Sequence, residues 1–126
     1  MIFRRKIYLV FFSFSIVFFS CGIETELKDV VSKTWSLHWK KCGLYQSSRV
    51  AEMKFNITDS VNDGWYYEYP DTVFFYFSMI DNYTILIDSS SSPEWIGVLK
   101  VSDYSKNYLE FERSKKSCEG ELFYFE

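Results

Sequence analysis

Few residues in this chain are equipped for chemistry: three cysteines, one histidine and a scatter of carboxylates. The thiolate is the strongest nucleophile in that set, so Cys21, Cys42 and Cys118 come first. Cys21 ends the stretch Ile16-Val17-Phe18-Phe19-Ser20 and is followed by Gly22. An apolar run that stops at a small residue and a cysteine places that thiol at a processing point rather than in a core. His38 falls between Trp35 and Trp39 on the opposite strand face, so it is expected to point outward and be solvated. No motif pairs it with a serine or cysteine nucleophile. Glu110 and Glu112 share one strand face and read as a soluble outer surface. There is no glycine-rich phosphate loop, and the two remaining cysteines and the distant histidine lack metal-ligand spacing. Neither an enzyme nor a cofactor or metal site is expected.

The elements around Cys21 explain its position. Arg4, Arg5 and Lys6 give a cationic start, and Ile7 to Phe19 is apolar apart from Ser13 and Ser15. Small residues follow, which completes the three-part layout of an export signal. The apolar run is shorter than the roughly 20 residues that a spanning helix needs. Phe18-Phe19-Ser20-Cys21 resembles a bacterial lipobox, with phenylalanine where leucine is usual. The resemblance implies cleavage before Cys21, a diacylglyceryl group on its Sγ and acylation of the freed amine. Two or more chains anchor stably where one does not. The expected address is the bacterial cell envelope, held to the membrane by lipid on Cys21. Gly22 in place of aspartate points to the outer membrane. An ordinary secretory signal with a chance cysteine is the alternative.

Residues 1–20 hold three of the 14 basic residues and none of the 17 acidic ones, so residues 21–126 carry 11 basic against 17 acidic, a net charge of about −6. Such a chain repels phosphate backbones, and nucleic acid is not an expected partner. The 106 residues suffice for one domain with a single core. Aromatic residues make up 21% of the sequence, and that enrichment favours strands.

Residues 21–32 read as a tether with a short helix, because Leu27, Val30 and Val31 fall on one helical face. Eight strand signals follow within residues 33–126, over 33–40, 49–55, 65–69, 72–80, 83–88, 94–101, 108–113 and 121–125. Turn-rich stretches such as Asp59-Ser60 and Asp81-Asn82 separate them. Eight meandering antiparallel strands fit an up-and-down barrel or a sandwich. In a closed barrel the first and last strands are neighbours. Cys42 just past the first and Cys118 just before the last would then meet. An exported chain is expected to join them as a disulfide.

These patterns are similar to the small lipocalin-like lipoproteins of the Bacteroidetes. "TWSLHW" resembles their first strand, "EWIGVLKVSDYSKNYLEFER" their late tryptophan-led hairpin, and "GELFYFE" their closing aromatic strand. Lys33 stands where the lipocalin signature would place glycine, and residues 43–70 depart most. The resemblance implies an all-β, eight-stranded antiparallel barrel with a possible apolar cavity.

Residues expected to line the interior are Trp35, Trp39, Phe55, Trp65, Tyr67, Phe75, Phe77 and Trp95. A barrel of eight strands either fills with side chains or holds one small ligand. The expected function is therefore a monomeric, membrane-anchored module binding a small apolar or amphipathic ligand. The alternative is a filled barrel that works through its surface, for example as an inhibitor of a lytic enzyme.

Overall fold

Alternating apolar and polar residues build the wall of this molecule, and glycine and proline mark its corners. The computed structural model describes residues 25–115 and 117–126. The expected leader at 1–20 and Cys21 lie outside the described residues.

Nine strands follow one another: β1 (Thr34–Cys42), β2 (Tyr45–Ser47), β3 (Ala51–Ile57), β4 (Asn62–Glu68), β5 (Asp71–Asp81), β6 (Thr84–Ser90), β7 (Gly97–Tyr104), β8 (Leu109–Lys115) and β9 (Cys118–Phe125). From β3 onward each strand pairs antiparallel with the next. β1 pairs with both β3 and β9, which closes eight strands into a barrel. The expected eight-stranded antiparallel barrel is the architecture observed. β2 is an addition, hydrogen-bonded only to the far end of β1, from Lys40 to Cys42. The chain reverses between them at Gly43, whose φ of +59° is a conformation that glycine adopts at no steric cost. The disulfide between Cys42 and Cys118 joins the end of β1 to the start of β9, with the Cα atoms 6.1 Å apart.

Residues 94–96 are not strand. Pro93 fixes its own φ and offers no N–H to a ladder, and Pro93–Trp95 forms a 3-10 turn instead. The turn tucks Trp95 inward, where it is 4% exposed.

One end of the barrel is plugged. Helix α1 (Leu27–Val30) lies before β1 and buries Leu27, Val30 and Val31, the face expected from the sequence. The Leu27 N–H donates to Asn82 Oδ1 at 3.1 Å, and Trp35 Nε1 donates to the Val31 carbonyl at 2.8 Å. The Tyr104 hydroxyl donates to the Thr25 carbonyl at 2.6 Å. The helix is too short to persist in water alone. Its burial and these bonds hold it in place.

The interior is aromatic. Trp35, Phe55, Phe75, Phe77 and Trp95 face inward as expected and join one core with Phe111, Phe123 and Phe125. Phe55 meets Phe75 and Phe77 edge-on, with centroids 5.7 and 5.3 Å apart. Such offset contacts between rings add to the stabilisation from burial.

Trp39, Trp65 and Tyr67 do not line the interior. In β1 the register with β9 slips between Leu37 and Trp39, so one extra residue enters β1. A bulge of this kind reverses the facing of every residue after it. Trp39 therefore turns outward and stacks on Tyr124, with centroids 5.5 Å apart and planes 13° apart. Lys40, expected outside, sits opposite Phe123 and points in. In β4 the inward residues are Gly64 and Tyr66, and Trp65 and Tyr67 stand on the outer wall, half-buried. Gly64 lies between Phe55 and Phe75. A Cβ there would come within 2.3 Å of the Lys54 carbonyl and 2.7 Å of the Phe75 ring. Only glycine fits, and it sets the phase of the whole strand.

Candidate functional site

Opposite the helical plug, at the disulfide end, the barrel wall becomes charged on the inside. β8 alternates Leu109, Phe111 and Arg113 inward, and β9 alternates Glu121, Phe123 and Phe125 inward. The register pairs Arg113 with Glu121. Both are almost fully enclosed, at 6% and 5% exposure. Arg113 Nη2 donates to Glu121 Oε1 at 2.7 Å, and Lys115 Nζ lies 3.4 Å from Oε2 of the same carboxylate. Arg113 also carries its guanidinium 4.0 Å from the Trp95 ring centroid and 5.1 Å from that of Phe123. The guanidinium stays charged at any ordinary pH, and aromatic faces suit it.

Across the mouth a second cluster gathers on Glu68 at the end of β4. Its Oε1 accepts from Lys40 Nζ at 2.6 Å and from the Tyr66 hydroxyl at 2.8 Å. Arg49 Nη1 stands 3.9 Å from Oε2 at the rim. Burial works against the charge on Glu68. The bonds from Lys40 and Tyr66 and the charges of Lys40 and Arg49 outweigh it, and the carboxyl sits below its ordinary range. Burial, and then the bond to Glu68, carries the Tyr66 phenol well above its ordinary range.

Between the two clusters is a cavity of about 340 Å³, lined among others by Lys40, Tyr66, Glu68, Trp95, Arg113 and Lys115. That volume lies near the small end of ligand pockets, roughly 300–1,000 Å³. Tyr66, Trp95 and Phe123 pack together beneath it, with centroids 4.7 to 6.0 Å apart. The floor is therefore apolar and the walls carry ion pairs. Arg113 Nε and Nη1 are buried and have no hydrogen-bond partner among the described residues.

Of the residues expected to line a cavity, only Trp95 borders this one. Trp35, Phe55, Phe75 and Phe77 lie in the packed core. Lys40, Tyr66, Glu68, Arg113 and Glu121 were not expected in a site. His38 is exposed on the outer wall, 3.8 Å from the Glu126 carboxylate and beside Tyr124, away from the mouth. Among the described residues no group of three or more His, Cys, Asp or Glu is gathered to hold a metal. No helix among them is long and apolar enough to cross a membrane. No known family model matches the chain, and no curated protein or solved structure matches it either.

Proposed function

We propose that this chain is a lipid-anchored, lipocalin-like module that holds a small amphipathic ligand in the mouth of its barrel. The observation that carries the reading is the cavity at the disulfide end. It combines an apolar floor with enclosed charged walls, and two of its buried donors lack a partner. Buried polar groups are nearly always satisfied, so such donors call for a guest, water or solute. The aromatic core fills the space deeper in, which places the guest at the rim end and not along the axis.

Anchoring at Cys21 rests on the leader pattern, and it suits this geometry. The chain enters the described fold at Thr25, on the plugged end. An acylated Cys21 four residues earlier would put the plug toward the membrane and the mouth away from it. The outer membrane of a bacterial envelope and a monomeric state complete the proposal.

One observation favours a second reading, a surface-acting lipoprotein. Tyr108, Tyr124 and Trp39 stack in a row on the outer wall, with Tyr124 at 6.1 Å from Tyr108 and 5.5 Å from Trp39. Rings of this kind can carry contacts to proteins or sugars.

Native mass spectrometry of the chain purified gently from its host separates the two. A reproducible added mass, lost on denaturation, is the expected result. A bare protein mass, with lipid the sole addition, sinks the ligand-binding reading and favours the outer row.

A further inference from the structure

We propose that the guest in the mouth is a small monocarboxylic acid and that Arg113 receives its carboxylate; this inference rests on the ligand-binding reading above. Arg113 presents five N–H donors and cannot shed its charge. Only Nη2 has a protein acceptor, Glu121 Oε1. Nε and Nη1 are buried without one among the described residues. Leaving donors of a buried cation unmet is costly, so acceptor oxygens belong beside them.

Charge decides which oxygens. The enclosed groups of the mouth are Lys40, Arg113 and Lys115 against Glu68 and Glu121, one positive charge in excess. Asp71 and Glu94 also border the cavity, but both are exposed and screened by water. A monoanion brings the enclosed set to neutrality. A dianion such as a phosphate monoester would leave a negative excess beside two carboxylates. A neutral amide or alcohol would leave the positive excess uncompensated. Carboxylate also matches guanidinium, because both are planar and their charge-assisted hydrogen bonds are about twice as strong as neutral ones. Val73, Trp95 and Phe123 on the same cavity wall accept an apolar part of the acid.

The test uses the whole chain in nonionic detergent, titrated by calorimetry with benzoate, its neutral isostere benzamide, and inorganic phosphate. Benzoate is expected to bind at least about tenfold more tightly than either of the others. Arg113→Met, if its thermal melt shows a folded barrel, is expected to weaken benzoate by at least about tenfold and to leave benzamide unchanged. Arg113→Lys restores the charge but not the planar fork, and is expected to recover part of the loss. Equal binding of benzoate and benzamide overturns the proposal. So does undiminished benzoate binding in folded Arg113→Met, or no binding of any probe. The series on the unaltered chain decides the matter even if the variant does not fold. The two readings also fail separately. A neutral molecule carried from the host overturns the acid and leaves the binding module standing, whereas a bare protein that takes up no probe removes both.

Discussion

At the helix end of this barrel Leu27 and Val31 are wholly enclosed, and Trp35 beneath them spends its one polar atom on a backbone carbonyl. At the disulfide end the same inner wall carries Lys40, Glu68, Arg113 and Glu121. The first end is stabilised by removing hydrocarbon from water, at roughly 25 cal/mol per Å². The second holds charges whose desolvation offsets most of their attraction. A barrel does not need ion pairs to close, since the plug shows that apolar side chains suffice. The charged mouth therefore reads as a cost accepted for binding. Its strand irregularities agree. The register slips at Leu37/Trp39 in β1 and at Arg113/Lys115 beside β9 both lie toward that end. Bulges re-aim side chains next to functional sites.

The comparison breaks if the plugged end does not dominate stability. Trp35→Ala removes a fully buried ring and the donor to Val31. It is expected to cost about 4–5 kcal/mol in urea unfolding, toward the upper end for a large-to-small core change. The cost should not vary with salt, because no charge is lost. A cost below about 2 kcal/mol would mean that the plug is an ornament and that the wall alone sustains the fold.

The mouth predicts a different signature. Glu121→Leu strands Arg113 and Lys115 together in an enclosed site, at an expected cost of roughly 3–4 kcal/mol. Adding Arg113→Met to the same chain should return stability to within about 1 kcal/mol of the original, because a buried pair replaced by apolar groups is often neutral. Strictly additive losses in the double variant would show that the pair itself stabilises the fold. The contrast between the two ends would then be lost.

How much of this could be read from the sequence depends on the strand. In β8 and β9 the period of two is unbroken. Glu110 and Glu112 read as outer, so Arg113 falls on the inner face with Leu109 and Phe111. Glu121 follows in the same way from Phe123 and Phe125. The partnership of Arg113 and Glu121 was legible there. Lys40 was not, because the β1 bulge after Leu37 leaves no mark in an alternating stretch such as "TWSLHWKK". In β4, "WYYEY" is aromatic in either phase, so hydrophobicity could not choose between Trp65-Tyr67 and Tyr66. Gly64 was the available signal: a glycine inside a strand marks a close approach of neighbours, here the Phe75 ring. The closed ring and the Cys42–Cys118 bridge needed only strand count and order, and both were legible.

The smallest expected effect concerns Glu68, which sharpens the comparison because it titrates while the plug does not. Its carboxyl lies below the ordinary value of 4.5 in the folded protein. A group with a lowered folded pKa contributes stability that is complete above its unfolded pKa and is lost as pH falls through the folded one. The window is therefore the acid side of 4.5, where protonation ends the attraction to Lys40 and Arg49 and weakens the bonds from Lys40 and Tyr66. Other carboxylates titrate there too, so the informative quantity is the stability difference between the natural chain and Glu68→Gln, followed from about pH 7 to about pH 3. The difference should be on the order of 1 kcal/mol at neutral pH, as for a pair near the rim, and should shrink toward zero in acid. A difference that holds constant across that range would mean that water, and not Lys40, already satisfies Glu68, and that the mouth is wetter and less organised than the plug-and-mouth contrast requires.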